Sequence, residues 1–306
     1  MIASLSRATP VLVQGIAGRM GRTHAALMAA YGTNIVAGVA ARTNTAGAAA
    51  RADGAEIAGI PVFPDCARAV AATGAVVSVA LTPPAETLAA ARDAFAAGIR
   101  LLVTVAEGVP AHDALRIGAA ARAARATWVG ASTPGLAIPG KVKLGFLPDV
   151  ALRSGPLGIM SKSGTLSYEV GWRLARAGLG QSLWVGVGGD PVKGVRFPDL
   201  IPVFLADPAT RAIVLVGEVG GTEEEDAAAA YAAAGATKPL YALIAGREAK
   251  EGVTMGHAGA LVHGASGTLA EKTRRLEAAG AIVFPTIEAL VRHCVAAINT
   301  QGRNEP

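Results

Sequence analysis

The chain has 306 residues, of which 52% are hydrophobic but only 4% aromatic; Ala, Val, Leu and Ile dominate, which suits packed α/β layers in one large domain or two ordinary ones. No window of about 18 uncharged apolar residues is free of Pro and Gly, which argues against a membrane span, and the start MIASLSRATPVLVQG lacks the apolar core and cleavage site of a secretory signal, so a cytoplasmic protein is expected. The net charge of +5 sits in the first half, where residues 1–150 carry 13 Lys and Arg against 8 Asp and Glu while residues 151–306 carry 15 of each; no basic run interleaves with aromatics, so a phosphorylated small molecule fits better than nucleic acid.

Short apolar runs alternate with Ala-rich helical stretches from the start. Strands are expected at Val11–Gln14, Asn34–Val39, Ala75–Ala80, Leu101–Val105 and Thr127–Val129, with helices over Gly21–Tyr31, Ala67–Ala72, Pro84–Ala97 and Ala111–Ala124. Alternation of this kind implies a parallel sheet with right-handed crossovers. Between the first strand and helix lies Gly15-Ile-Ala-Gly18-Arg19-Met20-Gly21. Its glycines permit a tight turn and close backbone approach, and the helix N-terminus behind them attracts phosphate. A dinucleotide-binding fold places an acid near the end of the second strand to hold ribose hydroxyls. Here that region reads Val39-Ala-Ala-Arg42, and an arginine suits a phosphorylated ribose, as in NADP or the 3′-phosphate of CoA.

Prolines 134, 139, 148 and 156 mark a turn-rich segment, so residues 1–131 are read as one domain, 132–156 as a connection and 157–306 as a second. The pattern then restarts as another doubly wound α/β domain. Strands are expected at Leu157–Met160, Leu183–Val187, Ala212–Val216, Leu240–Ile244 and Ala281–Val283, and helices over Leu166–Ala177, Leu200–Ala206, Glu223–Ala234, Thr268–Ala279 and Ile287–Ile298. Ser161-Lys-Ser163-Gly164-Thr165 follows the first of these strands. It lacks the Walker spacing, yet it again offers backbone N–H groups at a helix start, with Ser163 or Thr165 as the cap.

Glu218 falls at the carboxyl end of a strand, where α/β folds keep their ligands, and His257 stands among small residues in Met255-Gly-His-Ala-Gly-Ala260. A glutamate that accepts the N–H of one imidazole nitrogen fixes the tautomer and makes the other nitrogen a nucleophile able to carry a phosphoryl group. Taken alone, such a histidine is more often structural; His24, His112, His263 and His293 have no comparable setting. Cys66 and Cys294 make neither a disulfide framework nor a metal site, and no metal centre is expected.

Six motifs in order, QGIAGRMG, TVAEGVP, SKSGTLSYE, VGVGGDPVKG, GEVGG and MGHAGA, make the chain resemble the alpha subunit of succinyl-CoA synthetase from about Pro10 to Ile298. The resemblance implies an N-terminal Rossmann-like CoA-binding domain followed by a flavodoxin-like, doubly wound ligase domain. It also implies a beta-subunit partner of ATP-grasp fold that binds ATP or GTP with Mg²⁺. His257 then matches a phosphorylated histidine and Glu218 the residue that orients it, while Ser163, Gly164 and Thr165 form a phosphate-holding helix end. Gly18, Arg19, Met20 and Gly21 match a CoA-phosphate loop, Val105, Ala106 and Glu107 a second CoA contact, and Tyr168 a substrate-site tyrosine.

Two departures stand out. The family's usual Gly-Pro-Asn-Cys-Pro-Gly, which meets the acid and the CoA thiol end, is replaced by Gly130-Ala-Ser132-Thr133-Pro134-Gly135, which leaves the acid open among succinate, malate, citrate or another small carboxylate. The family's Gly-Lys-Gly-Gly after the second strand is replaced by Arg42-Thr-Asn-Thr, with Arg42 in the lysine's place. Two other readings stay open on the sequence. One is an NADP-dependent reductase, since GIAGRMGRTHAAL also looks like the first loop of dihydrodipicolinate reductase, although that enzyme's His-His and Lys motif is missing. The other is a non-catalytic CoA-binding subunit.

Overall fold

The computed structural model describes residues 1–40, 55–247, 257, 260 and 267–303. They form two compact units, Met1–Phe146 with Val192–Val195, and Leu147–Pro191 with Arg196–Pro306. In the first unit, strands β1 (Val11–Gln14), β2 (Ile35–Val39), β4 (Ile60–Phe63), β5 (Val77–Ala80), β6 (Leu101–Thr104) and β7 (Thr127–Val129) run parallel in the order β4-β2-β1-β5-β6-β7, and the short β3 (Glu56–Ile57) adds antiparallel to β4. In sequence order this is 3-2-1-4-5-6, the Rossmann arrangement. Every residue of β1, β5 and β6 is buried, as expected of parallel strands covered on both faces.

Helices α1 (Arg19–Tyr31), α2 (Cys66–Thr73), α3 (Thr87–Ala96) and α4 (Ala111–Ala123) cross between these strands. Half of their buried residues are alanine: Ala69, Ala91, Ala94, Ala114 and Ala121 pack with Leu12, Leu102, Ile117 and Trp128. Small side chains let helices lie close to the sheet, which is how a chain so poor in aromatics still builds a dense core. Asp65 caps α2 by accepting the Arg68 N–H at 2.8 Å, and Gly32 ends α1 at φ 101°. The buried Gln14 has both ends of its amide used, donating to the Ala90 carbonyl and accepting the Ser78 hydroxyl proton.

The segment expected as a connection contains a hairpin, β8 (Gly135–Ile138) and β9 (Val142–Gly145), and β10 begins inside it at Ser154. β3 and β4 were likewise not expected. Gly59, Pro61, Pro139 and Gly140 interrupt these short runs, so they read as turns.

In the second unit, β10 (Ser154–Ser161), β11 (Gln181–Gly186), β12 (Ala212–Glu218), β13 (Leu240–Ala245) and β14 (Ile282–Phe284) are all parallel, in the order β14-β13-β12-β10-β11. Numbered along the chain this is 2-1-3-4-5, the flavodoxin-like order. Helices α5 (Gly164–Arg176), α6 (Phe197–Ala206), α7 (Glu223–Ala233), α8 (Leu269–Ala278) and α9 (Ile287–Arg303) cover it. Trp184, Phe197 and Phe204 are fully buried, and Phe204 lies where a Cβ on Gly158 would come within 2.3 Å of its ring. Among the described residues, no helix is long and apolar enough to cross a membrane.

Candidate active site

Each unit carries a cavity where its strand order reverses, the place where open α/β sheets bind ligands. In the first unit that point lies between β1 and β5. A cavity of about 560 Å³ there is lined by Gly15, Gly18, Arg19, Met20, Gly21, Thr82, Val105, Ala106, Glu107 and Phe146, among others. All seven residues expected at the CoA phosphates and at the second CoA contact therefore share one cavity; Arg42 lies outside the described residues. The loop is built from close approaches. A Cβ on Gly21 would sit 2.1 Å from the Gly15 carbonyl oxygen and 2.7 Å from the Ile16 Cα, so this turn holds no side chain there. α1 opens at Gly18 with neither a side-chain cap nor an acid in its first turn. Its first N–H groups have no intrahelical acceptor, and the positive helix end faces whatever occupies the cavity. Thr82 adds a buried hydroxyl without a hydrogen-bond partner among the described residues. A glycine cradle, an open helix end and a spare hydroxyl suit a phosphorylated ligand.

Ser132, Thr133, Pro134 and Gly135 form the turn from β7 into β8. The Ser132 N–H donates to the Ala106 carbonyl at 2.8 Å, which ties this turn to the cavity wall, and the Phe146 N–H donates to the Pro134 carbonyl at 2.7 Å. The Thr133 hydroxyl accepts the Gly135 N–H at 2.9 Å. His24 packs on Phe146, and burial together with nearby Lys143 lowers its pKa.

In the second unit the order reverses between β10 and β12. Here the structure brings Ser163, Thr165, Glu218 and His257 to one cavity of about 600 Å³, with Leu166, Glu169 and Ile287 also in its wall. Glu218 is the last residue of β12 and is largely buried, whereas His257 is 27% exposed. The Nδ1 atom of His257 lies 2.6 Å from Glu218 Oε2. A carboxylate can only accept, so Nδ1 carries the proton, and in the neutral ring the lone pair is on Nε2. The other carboxylate oxygen, Oε1, is buried and has no partner among the described residues. Ser163 is the N-cap of α5, its hydroxyl accepting the Leu166 N–H at 3.2 Å. The N–H groups of Gly164 and Thr165 lack intrahelical acceptors, and no acid occupies the first turn. Tyr168, one turn further on, packs edge-on against Trp184, and burial raises its pKa.

Two features of this site were not singled out in the sequence. Gly189 has its Cα against the imidazole, so that a Cβ there would stand 2.4 Å from His257 Cγ. Beneath Glu218 lies a buried ion cluster of Lys162, Glu224 and Lys272. Burial alone would depress Lys162, but Glu224, Glu223 and Glu218 hold it above the ordinary lysine value. Burial likewise opposes the charge on Glu224, and Lys162 and Lys272 overcome it, keeping the carboxyl below its ordinary range. Among the described residues there is no group of His, Cys, Asp and Glu able to hold a metal ion.

Comparison with known proteins places both halves. The CoA binding domain family matches residues 6–108, and the CoA-ligase family matches residues 160–282. The succinate–CoA ligase [ADP-forming] subunit alpha 1 of Archaeoglobus fulgidus is 43% identical over 93% of this chain and 94% of its own length. The ADP-forming sulfoacetate–CoA ligase subunit SauD of Bilophila wadsworthia is 41% identical over 88% of this chain and 90% of its own. Among solved structures, ATP citrate lyase from Methanothrix soehngenii, in complex with citrate and coenzyme A, superposes with a TM-score of 0.84 at 23% identity. The match covers 99% of this chain and 52% of that one, and at this identity it speaks for the fold.

Proposed function

The chain belongs to the succinate–CoA ligase alpha-subunit family, whose members are acid–thiol ligases, and on that footing we propose that His257 carries a phosphoryl group from a nucleotide to a small carboxylic acid that leaves as its CoA thioester. The nucleotide, ATP or GTP with Mg²⁺, sits on an ATP-grasp beta subunit, and the CoA phosphates sit on the Gly15–Gly21 loop. The observation that carries the reading is the 2.6 Å contact between His257 Nδ1 and Glu218. It makes Nε2 the nucleophile beside a helix end able to hold the transferred phosphoryl oxygens.

The chemistry proceeds in three displacements. Nε2 attacks the γ-phosphorus, ADP or GDP leaves, and the N–H groups of Gly164 and Thr165 stabilise the phosphoryl charge. A carboxylate oxygen of the acid then attacks phosphorus, giving an acyl phosphate and returning neutral His257. Finally the CoA sulfur attacks the acyl carbon, and the departing phosphate takes the thiol proton. Throughout, Glu218 holds the Nδ1 proton, so the ring does not change tautomer between steps. Positioning and charge stabilisation do most of the work, as in phosphoryl transfer generally.

The acid is a small carboxylate such as succinate, malate or citrate, and relatives are named for succinate and for sulfoacetate. Ser132–Gly135, tied to the CoA cavity through Ala106, and Tyr168 are the residues assigned to it. The test supplies the chain and its beta partner with Mg²⁺, ATP, CoA and each acid in turn. Acyl-CoA should form with one ADP and one phosphate released per thioester, and His257→Ala should form none. Release of AMP, or full turnover in His257→Ala, would contradict the carrier role.

A further inference from the structure

We propose that Glu224 is a positioning residue for the His257–Glu218 pair, holding Glu218 through its backbone N–H from within the buried Lys162–Glu224–Lys272 cluster. The inference rests on the phosphoryl-carrier reading of His257. It starts from an accounting of backbone donors. The ladder between β10 and β12 ends at Ser161 and Val216, whose carbonyl takes the Lys162 N–H at 3.1 Å. Two residues on, the Glu218 N–H lies past the end of the β10 ladder, and Glu224 Oε1 accepts it at 3.0 Å. The next two N–H groups, of Val219 and Gly220, go to the carbonyls of Ala245 and Gly267. A side chain thus stands in for β10 at the one residue that orients the imidazole.

Glu224 is itself clamped. Its Oε1 lies 2.9 Å from Lys162 Nζ and its Oε2 2.5 Å from Lys272 Nζ, and Lys272 also donates to Glu225 and to the Gly221 carbonyl. The three clamped side chains are 5% exposed at Lys162 and 0% at Glu224 and Lys272. Buried ion clusters add little net stability over apolar packing, so the chief physical effect of this one is geometric. Lys162 stands between Ser161 and the cap residue Ser163, so the same cluster joins the phosphate-holding helix end to the strand that bears Glu218. Gly217 is the opening that admits Glu224: a Cβ there would lie 2.7 Å from Glu224 Oε1.

Two variants test this in the complex with the beta subunit. Glu224→Gln removes the charge that both lysines clamp. Gly217→Ala keeps every charge and pushes the Glu224 carboxylate away, and it decides alone if Glu224→Gln does not fold. Phosphorylation of His257 by ATP should slow by about tenfold to a hundredfold in either, as for comparable displacements of supporting groups, with the KM for ATP unchanged. The ¹⁵N signals of His257 should shift from the Nδ1-protonated tautomer toward a mixture. Tyr231→Phe, which removes a part-buried hydrogen bond to the Lys238 carbonyl away from the site, should lower thermal stability and leave rate and tautomer alone. A wild-type rate and tautomer in a folded Gly217→Ala variant overturns the inference, as does a loss in Tyr231→Phe that matches its loss of stability. If the unmodified chain takes no phosphate on His257, the carrier reading itself fails, and that outcome is distinct from either.

Discussion

Gly189→Ala is a small change with a large expected effect on the site. The added Cβ would stand 2.4 Å from His257 Cγ, 2.6 Å from Nδ1 and 2.9 Å from Cβ, where ordinary contact begins at 3.4 Å. The ring therefore has to retreat by about 1 Å, the scale on which misplaced catalytic groups lose on the order of a hundredfold in rate. The same retreat stretches the 2.6 Å bond to Glu218 out of hydrogen-bond range. Backbone strain adds nothing, because Gly189 is not among the glycines with positive φ. The fold should survive with its melting temperature within a few degrees. The assay is single-turnover transfer of ³²P from ATP to the chain in the presence of the beta subunit, read as acid-labile label against time. A folded Gly189→Ala protein that labels at the wild-type rate would refute the claim that the imidazole is held by this contact.

Gly21→Ala forces a Cβ to within 2.1 Å of the Gly15 carbonyl, against backbone that has nowhere to move, so CoA affinity measured by titration calorimetry should fall at least tenfold, with phosphorylation of His257 retained. Phe204→Ala empties a fully buried site over Gly158 and should cost about 3–5 kcal/mol in urea unfolding of the second unit. Burial disfavours the thiolate at both cysteines; Cys294 is pushed up to about 12, and Cys66, with Asp93 and Asp65 adding to burial, higher still. At pH 8 neither should react with a thiol reagent until the chain unfolds, and the Cys294 rate should climb with each pH unit toward 12; prompt labelling of two thiols in the folded protein would contradict this.

The alternating pattern was legible because both sheets are largely parallel: continuous apolar runs such as Val11-Leu-Val and Ile213-Val-Leu-Val, alternating with helical stretches, admit little else. Loop positions at strand ends were readable for the same reason, so the Gly15–Gly21 turn, Ser163 and Glu218 fall where expected. β3, β4 and the β8–β9 hairpin were missed because Gly59, Pro61, Pro139 and Gly140 interrupt their short runs, which therefore read as turns. Glu224 and Lys162 were missed for a different reason. Glu223-Glu-Glu-Asp226 reads as an acidic first turn on a solvated helix face, yet Glu223 and Glu224 point inward and are buried. The approach of Lys162 and Lys272, distant in sequence, together with the backbone N–H groups of Phe197 and Glu218, makes that burial tolerable. Gly189 was visible as part of a motif, but its purpose depends on where His257 folds back to meet it.

The account stands on which imidazole nitrogen receives the phosphoryl group. Phosphorus–nitrogen coupling in ³¹P and ¹⁵N spectra of the chain, phosphorylated by ATP in the presence of its beta subunit, distinguishes the two. Attachment at Nε2 of His257, with Nδ1 still protonated toward Glu218, is the predicted result; attachment at Nδ1, or at any other residue, contradicts it.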